Sequence, residues 1–193
     1  MLPYKCKRIK DESGQAFFQK QMTRSGLAKA ECDFLRHSHV YGVFKQDQLI
    51  GGFVNSSSPK RIMSVLSESA LKKTTATLND LDIDMNSIQE LSSLWVEREA
   101  NFFARFLVLA LSVFVVLKSR TYIAIMCKKN GLLPMYENGK PHIVYREGPG
   151  EKVERVYLFT PLTISLALAR YPGLKFQRWV RKALTARPTV AAN

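Results

Sequence analysis

Hydrophobic positions along this chain come in runs whose spacing changes from segment to segment, and the changes mark out a series of elements. Residues 40–54, Val-Tyr-Gly-Val-Phe-Lys-Gln-Asp-Gln-Leu-Ile-Gly-Gly-Phe-Val, hold two apolar runs joined at Gln46-Asp47. A two-residue polar connection between apolar runs predicts a β-hairpin. Gly51-Gly52 interrupts its second strand and predicts a bulge or the close approach of another backbone. Residues 88–96, Ile-Gln-Glu-Leu-Ser-Ser-Leu-Trp-Val, read as a buried strand that ends in the polar turn Glu97-Arg98-Glu99. After the turn come residues 102–117, in which only Arg105 and Ser112 are not apolar. A membrane span wants about 20 apolar residues. This run is shorter and charged near its start, so it predicts a helix buried against a sheet. Residues 121–127, Thr-Tyr-Ile-Ala-Ile-Met-Cys, read as a second apolar strand.

Weaker patterns fill the rest. Residues 4–9 alternate and predict a first strand, and residues 15–36 hold two helical patterns broken at Ser25-Gly26. Phe17, Phe18 and Met22 line the first of these, and Leu27, Ala30, Phe34 and Leu35 the second. Ser56-Ser-Ser-Pro59 closes the hairpin and offers a cap for a helix over about residues 60–72, while the polar, acidic stretch 73–86 reads as a loop. Residues 131–136 predict a short helical turn, and residues 143–145 and 153–159 a last pair of strands. Residues 161–169 are apolar, and residues 173–186 form an amphipathic basic helix with Phe176, Trp179, Val180 and Leu184 on one side.

Composition narrows the class. With 193 residues, 46% hydrophobic and 23% charged, the chain suits one folded domain with a substantial core. Cys6, Cys32 and Cys127 are far apart and odd in number, so no disulfide framework is expected and a reducing cytoplasm fits best. The N-terminus has charge but no apolar segment behind it, which argues against a standard secretory signal. Cys32, His37 and His39 have no zinc-site spacing and lack a fourth ligand, so no metal is expected. No P-loop, dinucleotide fingerprint, nucleophile elbow or zinc-protease motif occurs.

Charge is unevenly placed within a net +13. Between residues 80 and 99 six carboxylates meet one arginine, whereas beyond Glu154 there is no carboxylate and there are seven basic residues. Such a region suits an acidic partner: the phosphates of a coenzyme, an acidic carrier protein, anionic lipid or nucleic acid. Aromatic residues interleave with basic ones over 171–179, which permits base stacking, but no recognised nucleic-acid motif is present.

The strand, polar turn and helix over residues 88–117 carry the chemistry. A helix that starts at such a turn leaves backbone N–H groups free, and such a terminus binds phosphate or pyrophosphate. In their order, hairpin, central strand, turn, apolar helix and second apolar strand resemble the GCN5-related N-acetyltransferase fold. Within it the pattern is nearest the branch of acyl-homoserine lactone synthases and N-acyl amino acid synthases. The resemblance covers residues 1–160, with residues 161–193 as a C-terminal basic helical extension. It implies a single mixed α/β domain, acyl-CoA N-acyltransferase-like, with a largely antiparallel twisted sheet of six or seven strands flanked by helices on both faces.

The activity so implied is transfer of an acyl group from a coenzyme A or acyl-carrier-protein thioester to a small-molecule amine, with no tightly bound cofactor. The donor site falls on Trp95, Val96, Glu97, Arg98, Ala100, Asn101, Phe102 and Arg105. Most acetyltransferases of the family carry Gln/Arg-x-x-Gly-x-Gly/Ala there, and Glu97-Arg-Glu-Ala-Asn-Phe-Phe-Ala104 has no glycine. The synthase branch lacks the glycines too and can use acyl carrier protein, whereas a relative without catalysis would also lose them. That relative would use the same fold and its basic surface to bind nucleic acid, an acidic protein or an anionic membrane. Glu90 corresponds to the carboxylate that deprotonates the attacking amine, needed because an alkylammonium of pKa about 10 is not nucleophilic. Its alternative is a strand residue facing solvent. Tyr136 corresponds to the acid that protonates the leaving thiolate, or else is a packed tyrosine. Arg98 and Arg105 contact phosphate or an acidic carrier, or form salt bridges with Glu97, Glu99 or Glu90.

Overall fold

Residues 40–54 form the predicted hairpin, β2 (His39–Lys45) against β3 (Gln48–Ser56). Lys45 faces Gln48, which leaves Gln46 and Asp47 as the turn, and Gln46 adopts a left-handed φ of 56°. Both glycines are demanded by close approach. A Cβ on Gly52 would lie 2.4 Å from the Tyr41 carbonyl oxygen and 2.5 Å from the Phe18 ring, and one on Gly51 would lie 2.8 Å from the Trp95 oxygen.

The computed structural model describes residues 4–24, 32–57, 66–117, 122–127, 133–146 and 155–185. With β1 (Tyr4–Ile9), β4 (Ile88–Val96), β5 (Tyr122–Cys127), β6 (His142–Arg146) and β7 (Arg155–Phe159), the hairpin builds a seven-stranded sheet in the order β1-β2-β3-β4-β5-β7-β6. Every neighbouring pair is antiparallel except β4 and β5. A parallel pair needs a crossover, and the apolar helix α4 (Phe102–Leu117) supplies it.

Helices cover both faces. On one, Phe18 and Met22 of α1 (Glu12–Arg24) pack with Val40, Val54 and Trp95. Beside them Ala70 and Leu78 of α3 (Glu68–Asp80) pack with Ile88, Ala124 and Val156. A short helix, α2 (Cys32–Arg36), contributes Leu35. On the other face α4, α5 (Leu133–Asn138) and α6 (Pro161–Thr185) close over Phe53, Leu91, Ile123 and Tyr157. Among the described residues no helix is long and apolar enough to cross a membrane.

Several expectations need correction. Phe17 is half exposed while Phe18 and Met22 are fully buried, because only one stripe of α1 meets the sheet. The loop expected over 73–86 is helical to Asp80: Ser67 caps α3 by accepting from the Ala70 N–H at 3.2 Å, and Ala70, Thr74 and Leu78 bury a narrow stripe four residues apart. The many threonines and lysines around that stripe hid it. Residues 60–65 of the expected helix, the Ser25-Gly26 break with Leu27 and Ala30, and residues 131–132 and 153–154 lie outside the described residues. The separate helix expected from 173 is instead the continuation of α6 through Pro172. Ile164, Ala167 and Tyr171 of that helix belong to the core, and the side chains of Phe176, Trp179, Val180 and Leu184 lie outside the described part.

Candidate active site at the split between β4 and β5

The parallel pairing of β4 and β5 is short. Ile88 faces Tyr122, Gln89 faces Ile123, Glu90 faces Ala124, and the register ends there. Both strands continue, β4 to Val96 and β5 to Cys127, so residues 91–96 are held by β3 alone. Their pairing with β3 also shifts between Gly52 and Val54, and Ser93 takes a left-handed φ of 51°. A non-glycine residue at positive φ inside a strand marks a bulge.

Glu90 occupies the last paired position and is fully buried, at 0% exposure. This overturns the solvent-facing alternative. Alternation puts Glu90 on the face of Ile88 and Ala124, under the α3 side of the sheet. The next residue, Leu91, shares a core with Tyr136 on the opposite face. Glu90 and Tyr136 therefore belong to opposite faces of the sheet at the point where β4 and β5 part. Tyr136 is 4% exposed and packed 6.0 Å from the Tyr157 ring and 5.8 Å from that of Phe159.

Buried polar atoms gather along β4. Gln89 Oε1, Ser92 Oγ and Trp95 Nε1 have no hydrogen-bond partner among the described residues. Buried groups in this condition are rare, and ordered water, an ion or a catalytic role accounts for them. Trp95 also packs its ring edge-on against Phe18 at 5.7 Å, so only its backbone and N–H can serve a ligand.

The turn between β4 and α4 is tied by its own groups. Asn101 Oδ1 accepts from the Ala104 N–H at 2.9 Å and caps the helix. Arg105 folds back, its Nε donating to the Ala100 carbonyl at 2.9 Å and its Nη2 to the Arg98 carbonyl at 2.6 Å. The alternative of a salt bridge from Arg105 is not realised among the described residues. A guanidinium clamp thus holds the turn that glycines would otherwise permit. The Ala100 N–H donates to the Glu97 oxygen, the Glu97 N–H to the Ile50 oxygen, and Val96 pairs with Gly51. Open to an anion are the first amides of α4, those of Phe102 and Phe103, together with the exposed Arg98.

Three features escaped the sequence reading. Ser92 and Ser93 carried a signal, two adjacent serines in an otherwise apolar strand. The third is a cluster beside β5, where Arg155 pairs with Glu137 and the Tyr157 hydroxyl lies 3.3 Å from Glu137 Oε1. Nothing local links residues 137, 155 and 157, since α5 and β7 meet only in the folded chain.

No family model matches the sequence. No curated protein matches it by sequence either. Similarity appears in the fold. The structure of FeeM, an N-acyl amino acid synthase from uncultured soil microbes, superposes with a TM-score of 0.60 at 11% identity, covering 82% of this chain and 91% of that one. An agmatine N-acetyltransferase gives 0.55 at 10% identity, over 81% of this chain and 99% of that one. The acyl-homoserine lactone synthase LasI gives 0.53 at 10% identity, over 86% and 93%. The chain has the GCN5-related N-acetyltransferase fold, in the form shared with these acyl amino acid and lactone synthases.

Proposed function

We propose that this protein is an N-acyltransferase that moves an acyl group from a thioester to a small-molecule amine. The observation that carries the reading is the end of β4–β5 pairing at Glu90, which leaves a buried carboxylate where two strands part on a fold shared with N-acyl amino acid synthase and N-acetyltransferase structures. In this scheme the acyl thioester lies between the diverging strands. Glu90 takes a proton from the acceptor ammonium, directly or through water, and the freed amine attacks the thioester carbonyl. Backbone N–H groups of the bulged half of β4 stabilise the oxyanion. Collapse of the tetrahedral intermediate breaks the carbon–sulfur bond and releases a thiolate, which takes its proton from Tyr136, while the amine nitrogen loses its second proton to give the neutral amide and that proton returns through water to the Tyr136 phenolate. Donor phosphate meets Arg98 and the first amides of α4.

Closure of the turn favours a donor with little phosphate to place there. Ala104 N–H is occupied by Asn101 and Arg105 clamps the turn carbonyls, which suits the single phosphate of a carrier-protein thioester better than a pyrophosphate. An acyl carrier protein is therefore the donor we favour over coenzyme A. The test is mass spectrometry of the purified protein for co-purifying acyl thioesters, followed by incubation with acyl-carrier-protein and acyl-coenzyme A donors and a panel of amines. Amide product from either donor supports transfer, and a preference for the carrier protein supports the finer reading. Absence of amide with every donor and amine, alongside tight binding of a polyanion, would support a noncatalytic binding protein instead.

A further inference from the structure

We propose that the sheet edge along β6 takes an extended acidic peptide as an added strand, at a site that β5 and β7 separate from the fork. β6 stands at one end of the strand order, and among the described residues β7 is its one strand neighbour. A cleft of about 550 Å³ runs beside it, lined by Lys73, Ala76 and Thr77 of α3 and by residues 143–146 of β6. Successive residues of a strand point to opposite faces, so a cleft that touches four in a row lies along the strand's edge and reaches its main chain. The two edges of the sheet differ in how they are guarded. β1, at the other end, carries exposed Lys5, Lys7 and Arg8, charges that resist pairing with a further strand. β6 instead offers Ile143, Val144 and Tyr145, with Ile143 38% exposed and Arg146 as its single cation, at the end.

The occupant follows from charge and from the length of the edge. Lys73 and Arg146 are both exposed, and no carboxylate lines the cleft. Neither has an ion-pair partner among the described residues, unlike the neighbouring Lys72, which Glu68 holds at 2.9 Å. The β6 register passes from Ile143 facing Tyr157 to Tyr145 facing Val156, so Val144 is the extra residue of a bulge and is left out of the ladder with β7. A bulge in so short a strand hinders long edge-to-edge pairing with a second copy, which would also set +13 against +13. A short acidic segment meets neither obstacle. Its main chain pairs with β6 while its carboxylates meet Lys73 and Arg146.

Fluorescence anisotropy of a labelled Asp-Val-Glu-Val-Asp peptide with the full chain at low salt tests this. The peptide binds saturably, and its counterpart Lys-Val-Lys-Val-Lys does not. Two N-methylated forms of the acidic peptide, one modified at the second and fourth residues and one at the third and fifth, separate main-chain pairing from charge attraction. Alternate amides of a strand face the same side, so one form loses binding and the other keeps it. The double variant Lys73→Glu, Arg146→Glu weakens binding about tenfold, the scale of two exposed ion pairs, with an unchanged circular dichroism spectrum. Four results would overturn the proposal. They are no saturable binding of the acidic peptide, N-methylated forms that behave alike, a charge-reversed variant that binds as wild type does, or velocity sedimentation showing a dimer that the peptide dissociates, which would make a second copy the occupant.

Discussion

In β4 the residues Ile88, Gln89 and Glu90 are held by β5, whereas residues 91–96 have β3 as their one neighbour and pair with it through a bulge. The first part has regular register and Ile88 in a dense apolar core. The second carries a positive-φ serine and the orphaned Ser92 hydroxyl and Trp95 N–H. One strand thus does two jobs: the first half carries the parallel pairing with β5 and the Ile88 core contacts, Glu90 alone pairs on both sides, and the second half, paired with β3 only, carries the bulge. Glu90 sits on the boundary, immobilised by the first half and adjacent to the second.

If that division is real, substitutions in the two halves differ in kind. Ile88→Ala deletes buried core and should lower stability by about 2–5 kcal/mol, read as a shifted denaturation midpoint, while turnover per folded molecule is retained. Loss of turnover without loss of stability there would break the contrast. Glu90→Gln should do the reverse and lower turnover about 100-fold with donor binding intact. Turnover equal to wild type at saturating amine, measured below the pKa of that amine, would remove Glu90 as the base.

Smaller effects sharpen the picture within the second half and the turn. Ser93→Val forces a branched side chain into left-handed backbone and should cost about 1–3 kcal/mol. A neutral result in chemical denaturation would mean that the bulge relaxes and demands nothing of its residue. Asn101→Ala removes the cap of α4 and should cost about 1 kcal/mol, with the donor KM lowered because the freed Ala104 N–H becomes available to phosphate. A raised donor KM would show instead that the Asn101 side chain itself holds the donor.

Legibility followed the range of the interaction. Strand β4, the apolar helix after it and the hairpin were readable because period, turn residues and apolar runs are local properties. Helix α3 was missed because only Ala70, Thr74 and Leu78 mark its buried side, and its threonines and lysines resemble a loop in composition. The residue type of Glu90 suggested a base, yet its alternation with Ile88 and Ser92 left its burial open.

By itself the sequence determined the hairpin and the central strand, that one apolar helix follows a polar turn without glycine, and where positive charge accumulates. These depend on side-chain chemistry within a few residues. Tertiary structure alone decided that β5 pairs with just three residues of β4, that Glu90 lies fully buried at the fork, and that Arg105 clamps the turn carbonyls rather than a carboxylate. It likewise decided that Arg155, Glu137 and Tyr157 meet. The physical reason is register: a parallel pair is joined by a long crossover, and where it begins and ends is set by the packing of α3 and α4 on opposite faces, which no local pattern encodes.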